Sequence, residues 1–189
     1  MTKMVILLTE GFADWETGLL AGVARGFYGV EVVQTTVDGW PVTSAGGLKV
    51  MPDVSLAAAL GDADALVLCG GTAWRKAPPE IGAVIEGFGG VIAAICDATR
   101  ALARAGLLDG VRHTSNNLEI FAGVPGYGGE ARYVDIPSAV RDGRIVTAPG
   151  TAPVSFMAEV LGALGLADGN LGYYLGMLGA EHQTLAKAA

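Results

Sequence analysis

Among the residues able to do chemistry, Cys96 has the most suggestive surroundings. In "AAICDATRALARAG" (93–106) a buried-type apolar run stops at Cys96 and passes straight into helical spacing. A thiol on such a tight strand-to-helix turn is held out of the sheet, and the positive end of the helix favours thiolate over thiol. The thiolate is the nucleophile. Two further stretches end apolar runs in the same way. "TEGFADWE" (9–16) brings Glu16 into the first turn of a helix, and "LCGGT" (68–72) offers Gly70 and Gly71, whose backbone amides can approach a ligand closely. In an open parallel sheet, ligands bind beyond the carboxyl ends of the strands, so residues that finish strands are the ones to combine.

The elements that must position these residues alternate. Apolar runs at 4–8, 30–37, 65–69, 91–96 and 145–148 read as strands, with helical patterns at about 16–28, 78–88, 97–106 and 152–165 between them. Pro78 and Pro79 suit a helix start, and Gly106 and Gly165 suit helix ends. This alternation predicts a mainly parallel, flavodoxin-like sheet with helices on both faces, an α/β three-layer sandwich. The stretches 38–56 and 131–150 break the rhythm and read as antiparallel decorations, the second carrying a "DG" hairpin signal. The last twenty residues have helical spacing, with His182 in a polar tail. No repeat or composition shift divides the chain, so 1–189 is expected to form a single domain.

Composition removes whole classes of function. The chain has 189 residues, 12 Lys and Arg against 19 Asp and Glu, a net charge of −7, and no basic run that could track a phosphate backbone. Nucleic acid is not an expected partner. Apolar residues make up 51%, yet no run approaches the roughly 20 needed to span a bilayer. The start, "MTKMVILLTEG", lacks the long apolar region and cleavage site of a signal peptide, so a reducing cytoplasm is expected, with Cys69 and Cys96 as free thiols. Two histidines and two cysteines far apart give no metal-ligand spacing, and no cofactor is expected.

Taken together and in order, "TEGFADWET", "ALVLCGGT", "AAICDAT", "ALARAGLLDG" and "VTAPGTAPVSF" resemble the DJ-1/PfpI superfamily, of the class I glutamine amidotransferase-like fold, over nearly the whole chain. The resemblance implies that Cys96 is the reactive residue and that Glu16 hydrogen-bonds its sulfur through a protonated carboxyl. It implies an oxyanion-hole-like pocket at Gly70, Gly71 and Asp97. It also implies a homodimer, often formed through the first helix, where "GLLAGVARG" (18–26) has the small residues for close contact.

Departures from that pattern narrow the chemistry. Asp97 stands where the protease-like branch has a histidine after the cysteine, which argues against peptidase activity. Asn116 stands where a glyoxalase-like branch has a histidine; an amide can orient a carbonyl but cannot shuttle a proton at neutral pH. His113 lies three residues earlier, on the opposite face of the same segment. The "APGTAPVSF" stretch offers no His and Glu for a glutaminase. What remains is a Cys96–Glu16 pair with amide donors, suited to addition to, or hydrolysis of, a small electrophile such as an aldehyde, isocyanide or amide. The alternative is a non-enzymatic stress protein or redox sensor acting through oxidation of Cys96.

Several residues also have plainer readings. Glu16 could simply complement its helix dipole, worth about 0.3–1 kcal/mol. Cys69 is read as an inert core thiol, or as a resolving thiol if its strand neighbours that of Cys96. Asp97 is expected to face solvent or Arg100, because facing the sulfur would oppose thiolate formation. Trp74 is expected to cap the pocket, Trp15 to pack at a helix interface, and "GVPGYGGE" (123–130) to be a loop that could serve as a lid.

Overall fold

The computed structural model describes residues 1–76 and 79–188, the side chains of 181–188 excepted. Five apolar runs pair as the parallel strands of one sheet. In chain order the main elements are β1 (Lys3–Leu7), α1 (Asp14–Tyr28), β2 (Glu31–Thr35), β3 (Val42–Thr43), β4 (Lys49–Val50), α2 (Leu56–Ala59) and β5 (Ala65–Leu68). They continue with α3 (Ala73–Lys76), α4 (Gly82–Gly87), β6 (Val91–Ile95), α5 (Thr99–Arg104), β7 (Val140–Asp142), β8 (Ile145–Ala148), α6 (Pro153–Ala163) and α7 (Gly169–Ala188). The six-stranded sheet has the order β2-β1-β5-β6-β8-β7, parallel except for the edge strand β7. Strands β3 and β4 pair separately, antiparallel.

The strands are apolar on both faces because both faces are covered. Met4, Ile6 and Leu8 point into a core with α1, α6 and the start of α7. Val5 and Leu7 point the other way, among Leu66, Trp74, Ile85 and Leu102. The result is the expected three-layer sandwich. Helix α1 buries Glu16, Leu20, Val23 and Ala24, one stripe at helical spacing, and ends at Gly29, whose φ of 62° is the left-handed conformation a helix stop favours. Glu16 is therefore carried into the interior by the same face that buries Leu20.

Three details differ from expectation. The helix anticipated over 78–88 begins only at Gly82, with Ile81 as its cap, while a separate short helix, α3, follows the glycine loop. Pro78 lies outside the described residues. The helix after Cys96 opens with a tight 3-10 turn, Cys96–Ala98, before α5. Both antiparallel decorations form, β3 with β4 and β7 with β8 through the turn at Gly143. His182 falls among the side chains that are not described. Among the described residues no helix is long and apolar enough to cross a membrane, and no cluster of three His, Cys, Asp or Glu could hold a metal ion.

Candidate active site around Cys96

Strand β6 ends at Ile95, and Cys96 turns the chain with a φ of 60°, the only positive φ of a non-glycine among the described residues. That conformation costs an L-residue about 1–2 kcal/mol, so neighbours must hold it. Thr99 donates its hydroxyl to the Cys96 carbonyl at 2.8 Å. The Ser115 hydroxyl lies 2.8 Å from Thr99 Oγ1 and 3.3 Å from the same carbonyl, so its single proton serves either. Both side chains are buried. With its carbonyl fixed, Cys96 presents Sγ at the carboxyl end of the sheet, partly exposed.

Glu16 reaches this point from α1 and is wholly buried. Its Oε2 accepts the Gly70 N–H at 2.7 Å. Its Oε1 is buried without a hydrogen bond of good geometry and lies beside Cys96 Sγ, each of the two atoms within 2.9 Å of where a Cβ on Gly150 would stand. Burial pushes the Glu16 carboxyl up to about 7, against the lowering contacts of Cys96 and the Gly70 amide, with the Asp97 charge adding to the rise. Burial first, and then the charge of Glu16, also pushes the Cys96 thiol up, while the Asn116 amide and the Asp97 backbone N–H pull it down.

Two groups this close titrate as a pair, and the useful question is where a single shared proton sits. A Glu16 carboxylate would have two donors, the Gly70 amide and the Cys96 thiol. A Cys96 thiolate would have the Asn116 side chain, the Asp97 amide and the Glu16 hydroxyl itself. More donors converge on sulfur than on the carboxylate, which favours negative charge there, against the burial that raises both groups.

Asn116 is oriented by its surroundings. The Gly150 N–H donates to Asn116 Oδ1 at 2.8 Å, which leaves Nδ2 to donate to Cys96 Sγ at 3.1 Å. The Gly150 carbonyl in turn accepts from Trp15 Nε1 at 3.1 Å. Neither Gly70 nor Gly150 has room for a side chain. A Cβ on Gly70 would stand 2.7 Å from Cys96 Cβ and 2.9 Å from the Ile95 carbonyl. Gly71, at φ 152°, packs against the backbone of Gly11 and Phe12.

The site thus gathers Cys96, Glu16, Gly70, Gly71, Asp97 and Asn116 in one place, with refinements. The Gly70 amide is engaged by Glu16, so of the two loop glycines only Gly71 has an amide that makes no hydrogen bond among the described residues. Trp74 does not cap the pocket. It is 1% exposed, packs in the core below the loop and donates Nε1 to the Cys69 carbonyl at 2.7 Å. Trp15, expected at a helix interface, is instead 58% exposed on the rim. Asp97 pairs with Arg75 at 2.7 Å rather than with Arg100, which donates to the Ile120 carbonyl; the opening 3-10 turn alters the spacing on which an Asp97–Arg100 contact relied.

Other residues are settled away from the sulfur. Cys69 is fully buried, accepts from Thr17 Oγ1 and donates to the Ala13 carbonyl, both at 3.4 Å, and burial pushes its thiol up to about 12. That environment is inert rather than resolving. His113 is buried within Phe121, Tyr127 and Tyr133. Its Nδ1 donates to the Val111 carbonyl and its Nε2 accepts from the Tyr127 hydroxyl, each at 2.8 Å. That bond, with Tyr127 stacked on Phe121, ties the 123–130 loop to the core. Gly150, Trp15 and Arg75 are site residues the sequence reading missed. The signal for Gly150 was available, since "APG" ends a strand as "LCGG" does.

Comparison with known proteins agrees with the geometry. A protein of Bacillus subtilis (strain 168) named as the uncharacterized protease YoaZ is 38% identical over 173 residues, 84% of this chain and 81% of that protein. Protein DJ-1alpha of Drosophila melanogaster is 34% identical over 163 residues, 78% and 70% of the two chains. The crystal structure of the DJ-1 superfamily protein Atu0886 from Agrobacterium tumefaciens superposes with a TM-score of 0.93 at 47% identity, over 96% of this chain and all of that one. With the DJ-1/PfpI family profile matching residues 2–163, a span that holds every residue of the Cys96 site, the chain belongs to the DJ-1/PfpI family.

Proposed function

We propose that the protein is a cofactor-free enzyme that adds to, or hydrolyses, a small electrophilic substrate through Cys96, with Glu16 as the proton carrier. The observation that carries this reading is the Glu16 Oε1 atom, buried without a well-formed hydrogen bond beside a sulfur on which other donors converge. In the addition step Sγ bonds to the electrophilic carbon and the π pair moves to oxygen. The proton on Glu16 passes to that oxygen, leaving Glu16 as carboxylate. This reading assigns the free Gly71 amide and the Asp97 amide as donors to the developing negative charge.

Peptidase action is not part of this proposal, although two relatives from Bacillus subtilis are named as uncharacterized proteases. The residue after Cys96 is Asp97, engaged with Arg75, and His113 is locked among aromatic rings. A second reading has its own support. The Glu16 hydroxyl and the Asn116 amide would also hold the oxygens of an oxidised Cys96, as a redox sensor requires. Helix α1 leaves Gly18, Gly22 and Gly26 uncovered beside a groove of about 900 Å³, which supports a homodimer through this helix.

The test is the pH dependence of Cys96 alkylation by iodoacetamide, read by intact mass with Cys69→Ser as background. A working pair gives an apparent pKa below the free-thiol value of about 8.5, shifted in Glu16→Gln. Turnover lost in both Cys96→Ala and Glu16→Gln marks an enzyme. Loss of the peroxide response alone marks a sensor. An unreactive thiol refutes both.

A further inference from the structure

Beside Asn116 the site opens into a cleft of about 300 Å³, the small end of ligand-binding volumes. Asn116 both lines this cleft and donates to Cys96 Sγ, so one side chain joins the cleft to the reacting centre. Pro149 and Pro137 form rigid walls, and Thr151 and Asp135 supply the polar surface. Among the described residues the Asp135 carboxylate forms no hydrogen bond or ion pair, and the Thr151 hydroxyl forms none either. No Lys or Arg lines the cleft. The nearest charged pair of the site, Arg75 with Asp97, neutralises itself and does not line it.

Building on the Cys96 reading, we propose that this cleft is the specificity subsite and that it selects small electrophiles whose tail donates hydrogen bonds, ammonium above all. Asp135 is the selecting residue and Thr151 its neutral helper. A carboxylate with no internal partner attracts a cationic or hydroxylated tail and repels an anionic one. The net charge of −7 reinforces the preference at a distance. Carbonyl compounds that bear a carboxylate are therefore poor substrates, and amino- or hydroxyl-bearing ones of similar size are good ones.

The experiment uses three methanethiosulfonates of similar size, with 2-aminoethyl, 2-hydroxyethyl and 2-sulfonatoethyl tails, on the intact protein. In each, Sγ attacks the sulfenyl sulfur, forms a mixed disulfide and expels methanesulfinate, so intact mass follows Cys96 directly. Rates are divided by those of a free small thiol. The expected cationic-to-anionic ratio exceeds that of the free thiol, falls about 3- to 10-fold in Asp135→Asn, inverts in Asp135→Lys, and shrinks at high salt. Ratios unchanged by both substitutions, with Cys96 still reacting, overturn the subsite alone. Failure of Cys96 to react with any of the three overturns the nucleophile reading beneath it.

Discussion

Replacing Glu16 by glutamine keeps the shape of the side chain and removes its proton. The folded protein raises this carboxyl from 4.5 to about 7, chiefly through burial. Below pH 4.5 the group is protonated whether the chain is folded or not, and its contribution to stability is fully present. As pH rises above 4.5 the unfolded chain releases the proton while the folded one keeps it. Stability therefore falls by about 1.4 kcal/mol per pH unit until the folded group also ionises near 7, about 3 kcal/mol in all. Glutamine has no such slope. Urea unfolding of both proteins under reducing conditions, at half-unit steps from pH 4 to 8, isolates the effect, because the remaining titrating groups are common to both. The protein with Glu16 is expected to gain about 3 kcal/mol on Glu16→Gln as pH falls through this window. The Cys69 thiol, pushed up to about 12 by burial, titrates above it, and both proteins carry Cys96→Ser so that the proton followed is the one on Glu16. Parallel pH profiles for the two proteins would refute a carboxyl held protonated by burial.

Asn116→Ala removes a donor to sulfur, so the apparent pKa of Cys96 alkylation rises by about 1–2 units, the worth of a hydrogen bond to a charged group; no change means the amide does not stabilise the thiolate. Gly150→Ala puts a methyl 2.9 Å from Sγ, displacing it, and slows alkylation far more than it lowers the melting temperature. Gly70→Ala meets the Ile95 carbonyl as well and costs about 1–3 kcal/mol in urea unfolding. Arg75→Ala leaves the buried Asp97 charge unpaired next to Cys96; alkylation at pH 7 slows, and adding Asp97→Asn restores it.

The sheet and the elbow were legible because each rests on a local signal. Branched apolar runs bounded by glycine announce buried parallel strands, and a cysteine between such a run and a helical pattern announces a turn at its own position. Glu16 was legible as a helix residue, while its burial follows only from sharing a face with Leu20. The failures depend on contacts between distant segments. Trp74 and Trp15 are both large indoles near glycine-rich turns, and nothing local says that one drops beneath the loop to reach the Cys69 carbonyl while the other lies across the rim to reach Gly150. The Asp97–Arg75 pair spans two strand ends, where the sequence offered a nearer arginine on the same helix. The late start of α4 shows a proline-based helix signal placing a boundary too early.

The absence of space at Gly70 and Gly150 constrains how this protein could diversify. Any side chain at either position collides with Cys96, so mutation cannot reshape the reacting centre one step at a time. The rim is different: Trp15 is open to solvent, Arg75 is largely so, and Thr151 is free of internal partners. A lineage seeking a new substrate would therefore vary the entrance around an unchanging thiol, and a directed-evolution library is best spent on those rim positions.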